Sequence, residues 1–366
     1  MTHCTARTLT QTDIAGRTLR NRLAVAPMTR VSATAAGDAT VAMADYYERF
    51  AKGGFGLMIS EGLYTDQAYS QGYLNQPGMA SEQQARTWQT LVQRIQAHRG
   101  LVFAQLMHAG ALSQGNRFRP GTIAPSAVRP KGEQMRFYHG DGRYAEPKAM
   151  SDEEIADVIS GFASAAQRAV CVAGFDGIEI HGANGYLLDQ FLTDYSNQRT
   201  DRWGGSSDRR AQLTLEVIKA VRASVGDVPL GVRISQGKVN DFEHKWAGGE
   251  QDSEVIFGSL QAAGVDFIHV TEHQAWQPAF VGNTASLVKL ARRYAPGTLL
   301  IANGGLDDPQ RAVTALDEGA DIIALGKAAL ANPDYPQRLA TQQPQAAFDP
   351  AILGPVANIK DVELAR

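Results

Sequence analysis

Residues 299–327 read LLIANGGLDDPQRAVTALDEGADIIALGK, and this stretch decides the architecture. Leu299–Ala302 is a short apolar run with no polar alternation, as in a strand buried on both faces. Asp308 followed by Pro309 reads as a helix N-cap with proline at the first helical position, where its missing N–H does no harm. A helix is expected over 309–319, and a second apolar run, Ile322–Leu325, follows it. Each run ends in glycine, Gly304-Gly305 after the first and Gly326-Lys327 after the second.

The same alternation extends back along the chain. Further strands are expected at Leu23–Ala26, Gly56–Ser60, Val102–Leu106, Gly177–His181, Leu230–Ile234 and Phe267–Val270. Helices are expected near 41–52, 82–98, 152–173, 208–224, 250–263 and 284–294, with a last one after Asn332. Ser81 with Gln84, and Ser151 with Glu154, fit the capping box, in which hydroxyl and longer polar side chain satisfy free N–H groups reciprocally. Eight strands alternating with about eight helices give an α/β fold, a (β/α)₈ TIM barrel with loop insertions, as one domain over residues 1–366. An open doubly wound sheet would bring a G-x-G-x-x-G turn after an early strand, and the chain has none. Two long segments, Ala109–Met150 and Gln236–Gly249, read as binding loops or lids.

Composition narrows the class. The chain has 366 residues, 44% hydrophobic and 20% charged, which suits one large packed barrel. Its formal net charge of -3 implies no basic face, so no nucleic-acid partner is expected. Two cysteines, Cys4 and Cys171, cannot build a four-cysteine zinc or iron–sulfur site, and no metal is expected. Cys4 reads as a terminal thiol and Cys171 as a buried helix residue. The polar N-terminus has no secretory core, and no run approaches ~20 apolar residues, so no membrane partner and a cytoplasmic location are expected.

The active site of such a barrel lies at the C-terminal ends of the strands. Phosphate sites often form after strands seven and eight, where Gly304, Gly305, Gly326 and Lys327 fall. Glycine lets backbone N–H groups approach an anion closely, and lysine adds a point charge. A plain turn would explain Gly304-Gly305 alone; Gly326-Lys327 at the corresponding place after the next strand favours phosphate. His181, Asn184 and Tyr186 follow the fourth strand within one turn. Histidine and asparagine can donate hydrogen bonds to a carbonyl oxygen, and a tyrosine can deliver a proton. Arg233 ends an apolar strand at the barrel mouth, where a buried anion would be its counterpart.

The segments HGANGYLLDQFL at 181–192 and NQRTDRWGG at 197–205 closely resemble the old yellow enzyme family. So do NRL at 21–23, APMTR at 26–30, GGFGL at 53–57, SEG at 60–62, QLMHAG at 105–110 and VRIS at 232–235. They keep the family's order from near residue 9 to near residue 342. The resemblance implies FMN as cofactor, NADPH or NADH as reductant, and an activated alkene as the small-molecule partner. It places Pro27, Met28, Thr29, Gly62 and His181 against the flavin ring, with Gln105 on its pyrimidine edge. Arg233 would face the side of the ring that gains negative charge, and Gly304, Gly305, Gly326 and Lys327 would hold the phosphate. Lys327 departs from the arginine more usual in the family and cannot offer phosphate a bidentate fork. His181 and Asn184 would grip the substrate carbonyl and Tyr186 would protonate its α carbon. Tyr69 and Trp276 are candidate substrate-pocket aromatics, and His108 a support for its loop.

Three rival readings follow from the same residues. A flavin-free barrel aldolase or isomerase acting on a phosphorylated substrate would explain the glycines and Lys327, but not Arg233 with Gln105 and the His181–Asn184–Tyr186 group. A flavoprotein reducing dienoyl thioesters would need an iron–sulfur domain, for which the cysteines are lacking. A barrel retained as a binding or sensor protein would have no use for Tyr186. The physiological substrate, the choice between NADPH and NADH, and a homo-oligomeric state stay open on the sequence.

Overall fold

The structure is a computed structural model and describes residues 7–365. Eight parallel strands close on themselves: β1 (Leu23–Val25), β2 (Leu57–Ile59), β3 (Leu101–Met107), β4 (Gly177–Asn184), β5 (Leu230–Lys238), β6 (Phe267–Thr271), β7 (Leu299–Asn303) and β8 (Ile322–Leu325). Each pairs with its sequence neighbours, and β8 returns to β1 through Ala324 opposite Ala24. The chain is therefore a (β/α)₈ barrel, and every expected strand is present within four residues at its ends. The outer helices are α1 (Val41–Lys52), α2 (Glu82–Ala97), α3 (Asp152–Arg168), α4 (Leu187–Leu192), α5 (Ser207–Val225), α6 (Glu250–Ala262), α7 (Leu287–Tyr294), α8 (Pro309–Asp317), α9 (Lys327–Ala331) and α10 (Tyr335–Thr341).

Local chemistry starts these helices where the sequence says. Ser81 and Ser151 form complete capping boxes with Gln84 and Glu154. The Asp308 carboxylate accepts the Arg311 N–H, with Pro309 in the first turn. Two of the short helices were not legible: α4, which follows directly on Tyr186 and is wholly buried, and α9, which follows directly on Gly326.

α3 runs on through a π turn, Ala169–Ala173. By length and composition Asp152–Ala173 is apolar enough to cross a membrane. Its apolar side, Ile155, Val158, Phe162, Ala165, Ala166, Ala169 and Ala173, is instead buried within the protein's main core. Cys171 corrects the sequence reading: it is exposed. It sits on the side of the helix opposite that face, so helical position overrides the usual preference of a thiol for the interior. Cys4 lies outside the described residues.

Register sets what fills the barrel. Phe103, Phe267, Ile301, Leu57, Ile59, Ile322 and Ala324 form a separate interior cluster, joined at the barrel's lower end by Ile14 and Leu19 of an N-terminal hairpin. Gly177 and Gly231 make room for it. A β carbon at either would stand 2.6 Å or 2.4 Å from the ring of Phe103 or Phe267. Two residues further along the same strands the inward positions turn polar: Gln105, Glu179, Arg233 and His269. This polar layer is the floor of the site.

Candidate active site

Buried groups on β3, β4, β5, β6 and β7 form a connected floor. Glu179 accepts from Gln105 Nε2 at 2.7 Å and lies 2.7 Å from His269 Nδ1. Arg233 Nη2 donates to Thr271 Oγ1 at 3.1 Å and Asn303 Oδ1 at 2.9 Å. Among the described residues no carboxylate lies within ion-pairing distance of Arg233, although Glu179 adds a favourable field. Two buried atoms of this floor, Arg233 Nε and His269 Nε2, have no hydrogen-bond partner among the described residues. An uncompensated buried cation with an orphaned N–H is costly, and an electron-rich group laid across this floor relieves it.

The rim of β4 carries His181, Asn184 and Tyr186. His181 is buried, and its ring meets the Tyr186 ring edge-on at 4.9 Å. Burial, helped by the Arg233 and His269 charges, holds its pKa well below the usual imidazole value, so the ring is neutral. Its Nδ1 accepts the Ala183 N–H at 3.4 Å, which assigns the proton to Nε2 and makes that nitrogen a donor. Asn184 takes a left-handed backbone, φ 62°. Its N–H donates to Ser235 Oγ and its C=O accepts from Val239, while its carboxamide has no protein partner among the described residues. Tyr186 is 5% exposed, and burial raises its pKa, so the phenol keeps its proton.

The turn that presents these groups is held from below. Gly185 N–H donates to Asp189 Oδ2 at 2.6 Å, and both Asp189 oxygens lie 2.9 Å from Lys238 Nζ. Asp189 and Lys238 are fully buried, and Lys238 stands opposite Asn184 where β5 slips its register against β4. The Gly185 carbonyl accepts from Gln190 Nε2. A strained two-residue left-handed turn, φ 62° then 88°, is thus fixed by a buried ion pair.

The glycine end forms a cavity of about 500 Å³ lined by Asn303, Gly304, Gly305, Gly326, Lys327 and Trp276, with Phe348 on the far side. Gly304 has φ 131°, and a β carbon there would fall 1.9 Å from the Glu272 carbonyl oxygen. Lys327 is exposed to the cavity and has no acidic partner among the described residues. Met28 Sδ lies 3.6 Å from the place a Gly326 β carbon would take, joining the Pro27–Thr29 segment to this end. A lysine without an acidic partner among the described residues, glycine backbone and a polar floor with the orphaned Arg233 Nε–H fit a phosphate-bearing ring system. Lys327→Ala is expected to weaken FMN binding about ten- to a hundredfold, the worth of a hydrogen bond to a charged group, and Lys327→Arg to tighten it. Flavin dissociation constants decide; equal constants for all three proteins would leave recognition to the backbone.

Gly62 and Glu61 bridge the floor and the Thr29 segment. The Gly62 carbonyl accepts from Gln76, and Met107 Sδ leaves no room for a β carbon. The Thr29 hydroxyl has no hydrogen-bond partner among the described residues, while its carbonyl accepts the Tyr138 hydroxyl at 2.9 Å. Glu61 accepts the Arg30 N–H at 2.9 Å, and burial outweighs that help to push its carboxyl up from 4.5 to about 7. An acid raised by folding adds no penalty below pH 4.5; stability is then lost as pH climbs to 7, by about 3 kcal/mol for this shift. Glu61→Gln is expected to flatten that part of the stability–pH curve. Denaturant titrations at pH 4.5 and pH 7 check it, and parallel curves for both proteins would refute it.

The remaining residues fall into place as follows. His108 is buried, takes the Gly110 N–H on Nδ1 and stands 3.8 Å from Asp66, a support for its loop. Tyr69 is partly buried, packs on the main core and lies near Lys148; among the described residues no hydrogen bond or ring contact joins it to His181, Asn184 or Tyr186. Trp276 stacks under Arg311 and against Gly305, so it belongs to the phosphate end. The sequence reading missed Tyr73, whose hydroxyl lies 2.5 Å from that of Tyr186, and Tyr138, which descends from the Ala109–Met150 segment onto Tyr73. It also missed Glu179, although a lone carboxylate inside an apolar strand buried on both faces is itself a signal.

A barrel with this floor, rim and anion end is built for a flavin-dependent oxidoreductase. Residues 12–346 match the model of the NADH:flavin oxidoreductase / NADH oxidase family. A probable flavin mononucleotide-dependent alkene reductase of Leishmania infantum is 33% identical over 349 residues, 92% of this chain and 91% of that protein. The old yellow enzyme homologue from Zymomonas mobilis superposes with a TM-score of 0.86 at 28% identity, covering 98% of each chain. Morphinone reductase, solved in complex with tetrahydroNAD, superposes at 0.84, with 28% identity over 98% of this chain and 96% of that one. The chain belongs to the old yellow enzyme family and is an FMN-dependent NAD(P)H oxidoreductase. This excludes the flavin-free sugar-phosphate reading.

Proposed function

We propose that the enzyme reduces the activated C=C bond of α,β-unsaturated carbonyl and nitro compounds, with His181 and Asn184 holding the oxygen and Tyr186 supplying the proton. What supports this reading is the placement at the end of β4 and on the turn after it of a neutral imidazole in ring contact with a protonated buried phenol, together with Asn184, whose carboxamide has no protein partner among the described residues. When bound, FMN supplies the hydride that reaches the β carbon. His181 Nε2–H and the Asn184 amide donate to the substrate oxygen and favour the enolate-like transition state over the ground state. Tyr186 Oη gives its proton to the α carbon. Arg233 stabilises negative charge on the floor side of the site, where its Nε–H has no hydrogen-bond partner among the described residues. Lys327 and the backbone at Gly304, Gly305 and Gly326 would hold the phosphate, and Gln105 and Gly62 would border the ring.

The Leishmania relative is named an alkene reductase, which supports the same substrate class here. Steady-state turnover with NADPH and with NADH against enals, enones, maleimides, nitroalkenes and nitrate esters tests the proposal. Saturable reduction of enones and nitroalkenes is the expected result. Nicotinamide oxidation that no alkene accelerates would refute it.

A further inference from the structure

We infer that Tyr73 is a positioning residue that aims the Tyr186 proton at the substrate and stabilises the phenolate left behind. The inference rests on Tyr186 being the acid. The two hydroxyl oxygens are 2.5 Å apart, and Tyr186 is the one hydrogen-bond partner of the Tyr73 hydroxyl among the described residues. Tyr73 is fully buried, in a cluster with Val31, Met107, Leu112 and Tyr144, and its ring packs at a tilt against Tyr138, with centroids 4.5 Å apart.

Only one hydrogen fits between two hydroxyl oxygens. If Tyr186 donated it, the Tyr73 hydrogen would point into that apolar shell with no acceptor, a buried unsatisfied donor. If Tyr73 donates it, every hydrogen has a place. Tyr73 is paired, and the Tyr186 hydrogen is left to face the rim shared with His181 and Asn184. The same bond then strengthens during reaction. The Tyr186 O–H bond breaks, the Cα–H bond forms, and the negative charge of the enolate passes to Tyr186 Oη. A hydrogen bond to a charged oxygen is worth about twice one to a neutral oxygen. Water returns the proton to Tyr186 after product leaves, and Tyr73 keeps its own throughout.

Tyr73→Phe keeps the ring, the Tyr138 contact and the volume, and removes only the donor. Enone turnover is expected to fall about ten- to a hundredfold, with a larger solvent deuterium isotope effect, because protonation becomes slower. Turnover of nitroalkenes, whose nitronate needs no immediate proton, is expected to stay within about twofold, as is the dissociation constant of a para-substituted phenol. In a Tyr186→Phe background Tyr73→Phe should cost nothing further, the coupling expected of two groups acting on one proton. Equal losses on enone and nitroalkene, or no loss on either, would overturn the inference. If Tyr186→Phe itself leaves enone turnover intact, the acid assignment fails first. If Tyr186→Phe slows it and Tyr73→Phe does not, only the role of Tyr73 falls.

Discussion

Tyr186→Phe is expected to slow enone turnover by about 10²–10⁴-fold, the usual worth of a positioned general acid. The variant keeps the ring that meets His181 edge-on and loses only the hydroxyl. FMN binding does not involve that hydroxyl, and neither does oxidation of the nicotinamide, since no carbon is protonated in that half of the cycle. Rapid mixing separates the two half-reactions. The nicotinamide half is expected to be nearly unchanged, and the enone half to carry the whole loss. Nitroalkenes should suffer less, because their nitronate anion survives without immediate protonation. Equal slowing of both halves would make Tyr186 a ligand-positioning residue; slowing of neither would assign the proton to water or another side chain.

Removing both donors of the oxygen clamp should have an effect of similar size. A single donor aimed at a developing oxyanion is worth roughly 10²–10³ in rate. His181→Ala with Asn184→Ala therefore should reduce enone turnover to a small residue, and the loss should extend to nitroalkenes, which Tyr186→Phe largely spares. Phenolates mimic the oxyanion, and in this family they stack on the flavin with a long-wavelength charge-transfer band. Wild-type protein is expected to give that band with a para-substituted phenol, and the double variant to lose it. No band in the wild type, or a band that survives in the variant, would count against the clamp. Because the His181 ring is held neutral by burial, its donor capacity needs no protonation event, and Nε2 remains a donor through the neutral range.

Most of the barrel was legible because strands buried on both faces leave a plain signal: apolar runs without alternation, punctuated by caps and glycines. Ser81, Ser151 and Asp308 start helices where their side chains meet free N–H groups, a purely local matter. The rim group was legible for a similar reason, since His181, Asn184 and Tyr186 lie within six residues. What the sequence hid is what the closure of the sheet assembles. Glu179 and His269 belong to different strands and meet only across the barrel. Tyr73 reaches Tyr186 from 113 residues away, so no spacing rule pairs them, and Tyr69 is the nearby aromatic that a linear reading selects instead. Cys171 was misjudged because residue type was weighed without its place on the helix.

The Asp189–Lys238 pair beneath the substrate turn has a consequence for laboratory evolution. Asp189 comes from the helix after β4 and Lys238 from the end of β5, so neither a grafted turn nor a randomised window around 182–189 carries both. A library that varies position 189 alone strands a buried ammonium, at about 3–5 kcal/mol for each broken pair. Most such clones would be lost to folding before their substrate range could be scored. Joint variation of 189 and 238 as a neutral couple, such as Asn with Met, removes that barrier and keeps an acceptor for the Gly185 N–H. The two positions therefore form one epistatic unit, and the accessible sequence space around the carbonyl clamp is set by a lysine that never touches substrate.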